Sequence, residues 1–202
     1  MNMVKRLFNC ISICCHPIFA ATLGIMLLTS RLLSISTKAH WVLVLFCLGY
    51  TVLLPMAFIG IARMVGFVND FQMRSRKERI FSLIITGICV YSLSYVFKGW
   101  LAPTTIRAFT LGISIMIFLA TLLSTFSHIS LHAIGWGGLT ALVSYFSFSQ
   151  PNLTWLLALT VLLSGLVGTA RLYLGEHKPI QVYSGYVIGF ITIWTTFIIN
   201  SL

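Results

Sequence analysis

Long apolar runs separated by short polar gaps account for almost the whole chain. Runs without Lys, Arg, Asp or Glu occupy residues 11–30, 41–62, 80–97, 108–128, 131–148, 153–170 and 181–200. A helix of about 20 apolar residues crosses a hydrocarbon core of about 30 Å, and within lipid only helices or closed barrels satisfy the backbone. The pattern therefore predicts an all-α, polytopic transmembrane bundle of six to seven spans, forming a single domain over residues 1–202.

The composition supports a membrane protein and argues against a soluble one. Of the 202 residues, 58% are hydrophobic and 8% are charged, whereas a soluble domain has roughly 25% charged residues. The formal net charge is +10, but the basic residues lie in the gaps, where they set orientation or meet lipid phosphates. We therefore expect the lipid bilayer as surroundings and no nucleic-acid partner.

Cysteine and histidine spacing gives little sign of a metal. The five cysteines lie within or beside apolar runs, and no C-x-x-C pair occurs, so we expect neither disulfides nor a structural metal site. Cys14, Cys15 and His16 form one weak alternative. His128 and His132 form another, because residues four apart share a helical face. Neither group has the ligand set typical of zinc, and the sequence favours no metal.

Because successive spans cross the membrane in opposite directions, alternate polar gaps lie on the same side and form two groups. If all seven runs span the membrane, the gaps at residues 63–79, 128–132 and 171–179 open on the same side. These three gaps contain all the acidic residues of the chain, whereas the other gaps contain no acid and His40 as their one histidine. We therefore expect a single polar pocket formed by three loops at one end of the bundle.

The last of these gaps combines groups suited to phosphate chemistry. Arg171 and His177 are six residues apart, between two apolar runs. A guanidinium matches phosphate oxygens, a neutral imidazole is a nucleophile, and a following helix start offers free N–H groups. Ordinary interfacial anchors beside a solvated histidine would explain the same residues, and spacing does not choose between these interpretations.

The two earlier gaps add a second imidazole and a basic cluster. His132 follows Ser130 by two residues, and a second imidazole would supply the proton that a leaving oxygen requires. The cluster RSRKER, residues 74–79, contains Arg76 and Arg79 and would neutralise a transferring phosphoryl group. It also fits a positive-inside anchor.

The order of these motifs resembles the type 2 phosphatidic acid phosphatase superfamily of integral membrane phosphatases. The likeness covers roughly residues 72–190 and is carried by a basic motif, then S-x-H, then R-x-x-x-x-x-H followed by V-x-x-G-x-x-x-G. The family implies that His177 is a nucleophile that becomes phosphohistidine and that Arg171 holds the phosphate. It also implies that Ser130 helps to bind phosphate and that His132 protonates the leaving group, with no metal or other cofactor.

The chain departs from the family at several positions. Gln181 stands where the family has the Asp that orients the imidazole, so this amide would orient the ring without stabilising it by charge. Ala170 and Leu131 replace a Ser and a Gly of the motifs. The first motif is absent at its usual spacing, and Arg76 and Arg79 take its phosphate-binding role by position alone.

The resemblance implies a metal-independent phosphatase for a lipid phosphate or diphosphate, such as a polyprenyl diphosphate, a phosphatidate-type lipid or a lipid A phosphate, in a bacterial inner membrane. The alternative is a non-catalytic relative that binds lipid head groups or serves as a subunit of a membrane complex. A transporter is less favoured, because no charged residue interrupts the centre of a span. The oligomeric state is not indicated.

The basic residues at the start of the chain bear on orientation. Lys5 and Arg6 precede an apolar run without a convincing cleavage site, so we expect a retained first helix. With residues 74–79, they favour a cytoplasmic N-terminus and a cytoplasmic pocket for seven spans. One span fewer reverses the side, and the sequence leaves it open.

Overall fold

The described part of the chain consists of helices joined by short turns and loops. The computed structural model describes residues 3–32, 35–68, 75–100 and 102–201. In these ranges it contains the α-helices α1 (Met3–Cys14), α2 (Pro17–Leu27), α3 (Thr37–Leu48), α4 (Leu54–Met64), α5 (Arg76–Gly99), α6 (Thr104–Ser124), α7 (Leu131–Ser149), α8 (Thr154–Tyr173) and α9 (Pro179–Ser201). The prediction of an all-α bundle is confirmed.

Short irregular turns extend or join some of these helices. A π-helical turn, Leu28–Leu32, continues α2, and a second one, Gly49–Leu53, joins α3 to α4. The second turn ends two residues before Pro55, which has no N–H for the helical ladder. A π-helical turn can absorb this interruption without ending the helix, so α3 and α4 form one long segment.

Most of the helical segments are suited to cross a bilayer. Among the described residues, five are long and apolar enough: Thr37–Met64, Arg76–Gly99, Thr104–Ser124, Pro151–Tyr173 and Pro179–Asn200. The bent pair of α1 and α2 is a sixth if it counts as one broken span. The chain is therefore an integral membrane helical bundle, with α7 lying among these helices.

The first predicted span, residues 11–30, is corrected by the structure. α1 and the helix that follows it meet at a 55° bend. His16 lies at the bend in an extended conformation, with φ −62° and ψ 137°, because Pro17 disfavours a helical residue before it. α1 carries exposed apolar side chains with Lys5 and Arg6, a pattern typical of a helix in the membrane interface.

α7 lies at the centre of the bundle and packs mainly against α9, and also against α8 and α2. Its buried residues cover more than one face: His132, Ala133, Ile134, Gly135, Trp136, Gly137, Gly138, Leu139, Ala141, Leu142, Val143 and Phe146. A helix buried on all sides contacts protein rather than lipid. This explains why α7 can contain three glycines, more than α2, α8 or α9.

Glycines let the backbones of α7 and α9 touch. A Cβ atom at Gly189 would overlap the carbonyl oxygen of Ile134, and one at Gly137 would overlap that of Tyr186. Small residues four apart, such as Gly185 and Gly189, allow this close approach between helices in lipid. The interface therefore has no room for even one methyl group at these positions.

We expect Gly189→Ala to destabilise the protein by about 1–3 kcal/mol, because the added methyl group forces α7 and α9 apart. Gly165→Ala on α8 is the matched control, since a Cβ atom there meets nothing within 4 Å. Thermal unfolding of both purified variants in detergent measures the difference. Equal melting temperatures would contradict the importance of this contact.

Candidate functional site

The three polar gaps meet at one end of the bundle. Arg79, in the first turn of α5, reaches the segment before α7: its Nη1 donates to Nδ1 of His128 at 3.2 Å, and its Nη2 donates to the carbonyl oxygen of Ile129 at 2.5 Å. His177 lies between α8 and α9, and its Nδ1 is 3.0 Å from the carbonyl oxygen of His128. The segment 128–130 thus connects the start of α5 with the loop after α8.

The hydrogen bond of His177 determines which ring nitrogen carries a proton. A carbonyl oxygen only accepts, so Nδ1 of His177 must donate to His128. In the neutral ring Nε2 then keeps its lone pair. Gly175, with φ 71°, allows the chain to turn between α8 and this half-buried histidine. The loop therefore presents an imidazole in the tautomer that a nucleophile needs.

Burial lowers the pKa of His177 below its ordinary value of 6.5, and the positive charges of Arg171 and Arg79 lower it further. The His128 carbonyl and the Gln181 side chain act in the opposite direction. A lowered pKa means that the neutral ring persists to more acidic pH than for a free histidine. At neutral pH the Nε2 lone pair is therefore available.

Gln181 has two roles at the start of α9. Its Oε1 accepts from the backbone N–H of Lys178 at 2.9 Å, and its own carbonyl oxygen accepts from the backbone N–H of Ser130 at 3.2 Å. The predicted orienting residue thus serves the helix start as well as acting on the pKa of His177. The acceptor that fixes His177 Nδ1 is a backbone carbonyl, which the side-chain sequence could not indicate.

Arg171 lies in the last turn of α8 and points toward α1. Its Nη1 donates to Ser12 Oγ at 2.8 Å, and its Nη2 lies 3.6 Å from Glu176 Oε2. The Glu176 side chain is 57% exposed, so this ion pair is weak. The Nε atoms of Arg171 and Arg79 are buried without a hydrogen-bond partner among the described residues. Both guanidinium groups therefore keep an unused donor, which a ligand oxygen would satisfy.

His132 is the second residue of α7 and is only 8% exposed. Its Nε2 lies 3.0 Å from the carbonyl oxygen of Ser12 and 3.5 Å from Ser12 Oγ. Because the carbonyl only accepts, Nε2 carries the hydrogen. The predicted general acid is close enough to His177 for their charges to interact. Its N–H, however, is already used by α1.

The remaining predicted phosphate ligands behave differently. Ser130 is fully buried and caps α7, where its Oγ accepts from the N–H of Ala133 at 3.4 Å. Arg76 is exposed at the start of α5 and does not share the contacts of Arg79. Arg74, also part of the basic cluster, lies outside the described residues. Of the first cluster, the structure brings Arg79 to the site.

Two residues at this end of the bundle, one in the last turn of α1 and one at the bend that follows it, lie in a run that the periodicity placed inside a span. Ser12 contacts both Arg171 and His132. The ring of His16 lies 5.2 Å from the ring of His132, at 77° to it. The one sequence signal for this was the His-Pro pair at residues 16 and 17, which interrupts an otherwise apolar run.

Neither metal alternative gains support from the donor geometry. Within the described ranges, no group of three or more His, Cys, Asp or Glu side chains is placed to hold a metal ion. His128 precedes α7 whereas His132 lies within it, so the two do not share a helical face as the spacing predicted. Cys14 is exposed on α1 and unpaired.

Comparisons with known proteins identify no relative, so the residues of the site must indicate its chemistry. No family model, no curated protein and no solved structure matches the chain. The site combines the guanidinium groups of Arg79 and Arg171, which lie near enough to repel each other, with the imidazole of His177. Such a cluster is suited to bind an anion with several oxygens.

We expect the pKa of His177 to lie below 6.5 and to rise in Arg171→Gln, because that change removes a positive charge that disfavours the imidazolium. Histidine ¹⁵N NMR in detergent micelles, assigned by loss of a signal in His177→Asn, also reports the tautomer. Arg31→Gln, in the turn after α2, is the control and leaves the titration unchanged. A hydrogen on Nε2 in the neutral ring would contradict the orientation by His128.

Proposed function

We propose that the protein is a membrane-embedded, metal-independent phosphatase that hydrolyses a lipid phosphate or diphosphate through a phosphohistidine at His177. The observation that carries the proposal is the fixed tautomer of His177: Nδ1 donates to the His128 carbonyl, and Nε2 is unprotonated beside Arg171 and Arg79. The resemblance of the motifs to type 2 phosphatidic acid phosphatases supports the same assignment.

The reaction has two chemical steps. Arg171 and Arg79 hold the phosphate oxygens, the Nε2 lone pair of His177 attacks phosphorus, and the bond from phosphorus to the leaving oxygen breaks. For this step His132 must be the imidazolium, which the negative charge of the bound phosphate favours; it gives one proton to that oxygen and becomes neutral. In the second step His132 takes a proton from water, the hydroxide attacks phosphorus, and the N–P bond breaks to release phosphate and restore His177.

Ser12 must move for this sequence of steps. The Nε2–H of His132 donates to the carbonyl of Ser12 at 3.0 Å, and Nη1 of Arg171 donates to the Ser12 hydroxyl. Substrate oxygens would replace both acceptors, because they accept the same N–H groups with a negative charge in addition. Binding of substrate therefore releases this part of α1.

The position of the site at the end of a membrane bundle supports a substrate with a lipid tail. Arg171 is in the last turn of a candidate span, Pro151–Tyr173, so a head group reaches the site while its hydrocarbon tail stays in lipid. Polyprenyl diphosphates, phosphatidate-type lipids and lipid A phosphates meet this condition. The location that we propose is a bacterial inner membrane.

A second candidate function is non-catalytic binding of a lipid phosphate, alone or as a subunit of a membrane complex. It is favoured by the partners of His177, which are a carbonyl oxygen and an amide rather than a carboxylate. Neither partner neutralises the imidazolium by its own charge. The carboxylate of Glu176, in the same loop, contacts Arg171. Binding without turnover needs no such charge.

His177→Ala is expected to lower phosphate release from a panel of lipid phosphates by about 10³-fold or more, because the nucleophile is removed. Wild-type turnover is expected to continue in EDTA. His40→Gln is the control, because His40 contacts Thr29, beyond the far end of α2. Unchanged turnover in His177→Ala would remove the mechanism.

A covalent phosphate label on the protein, stable in base and lost in acid, separates the two candidate functions. We expect rapid quenching of wild type with ³²P-labelled substrate to trap a phosphate on His177, detectable by peptide mapping. Tight binding of the same lipid with neither label nor released phosphate would instead support the non-catalytic candidate.

A further inference from the structure

The bend between α1 and α2 places a third imidazole beside His132 and Arg171. His16 is exposed, unlike His132, and its ring lies edge-on to that ring at 5.2 Å. It is also close enough to Arg171 for their charges to interact. Thus α8, α7 and the bend direct a guanidinium group and two imidazoles to one place.

Two constraints fix the His16 side chain. Pro17 holds the backbone of His16 extended, as the residue that caps α2. Nδ1 then accepts from the backbone N–H of Ile18 at 3.3 Å. A backbone N–H only donates, so Nδ1 is unprotonated and the hydrogen of the neutral ring is on Nε2. While the cap is formed, His16 is an N–H donor and not a source of protons.

The three imidazoles at this end therefore offer different atoms. His177 presents a lone pair on Nε2, and the N–H of His132 is used by the Ser12 carbonyl. The Nε2–H of His16 makes no hydrogen bond with any residue in the described part of the chain. A neutral N–H donor beside a guanidinium group suits a phosphate oxygen.

We infer that His16 is a further phosphate-binding residue, whose Nε2–H donates to a non-bridging oxygen of the phosphate group held by Arg171. The inference rests on the proposed function, since it concerns the same site and the same class of ligand, a lipid phosphate or diphosphate. It makes the broken N-terminal helix part of the binding site and leaves the attack at phosphorus to His177.

A matched pair of substitutions separates binding from capping. The side-chain oxygen of Asn is as many bonds from Cβ as the imidazole Nδ1, so His16→Asn keeps the cap of α2 and loses the Nε2–H. The amide nitrogen of Gln is as many bonds from Cβ as Nε2, so His16→Gln keeps a donor there and loses the cap. The two variants therefore remove one role each.

The experiment measures the affinity of the purified full chain for inorganic phosphate, by titration calorimetry in detergent, beside its thermal unfolding. We expect His16→Asn to melt like wild type and to bind phosphate about tenfold more weakly or worse, the loss of one hydrogen bond to a charged group. We expect His16→Gln to melt at a lower temperature and to bind within about threefold of wild type.

The outcomes distinguish this inference from the proposed function. Wild-type affinity in His16→Asn, with a lower melting temperature only in His16→Gln, would show that His16 is a helix cap and overturn the inference alone. No phosphate binding and no hydrolysis by wild type would overturn the proposed site, and this inference with it. Turnover of a lipid phosphate by His16→Asn with a raised KM and unchanged kcat would support it further.

Discussion

The contact between the backbones of α7 and α9 is the constraint on which the site depends. At its outer end, Gly185 leaves only 3.0 Å between the position of a Cβ atom and the carbonyl oxygen of Ser130, and the Ser130 N–H donates to the carbonyl of Gln181. The start of α9 is thereby held against the start of α7. His128 lies three residues before α7 and His177 two residues before α9, so packing inside the membrane sets the hydrogen bond that orients the imidazole.

The broken first helix is tolerated because other helices satisfy its backbone. The last carbonyls of a helix have no partner within it, and in lipid an unsatisfied one is costly. Here Trp136 Nε1 donates to the carbonyl of Cys15 at 3.0 Å, and His132 donates to that of Ser12. The same contacts that stabilise the bend direct α1 toward Arg171. The hydrogen bonds that satisfy the last carbonyls of α1 therefore also bring Ser12 to the site.

Hydropathy predicted most of the fold because each long apolar run has only one way to satisfy its backbone in lipid. Parity predicted the meeting of the three gaps for a similar reason, since alternate loops of a bundle share a side. The bend at His16 was missed because a single Pro in an apolar run leaves the composition unchanged. The His128 carbonyl as a partner of His177 was missed because a backbone carbonyl has no sequence signature. The motif did indicate Gln181, whose side chain acts on the pKa of His177 and also caps α9.

The basic cluster shows why residue type alone does not select a ligand. Arg76 and Arg79 are the same residue type in the same cluster. Because α5 begins at Arg76, the two side chains leave its first turn in different directions, and that of Arg79 reaches the bundle. Arg79 is then held near Arg171, and the surrounding oxygens are mostly carbonyls and a hydroxyl. Two partly buried cations that repel each other cost free energy unless negative charge compensates them. An anionic ligand is the simplest physical reason for such an arrangement, because it would offset the repulsion and accept from the unused N–H groups.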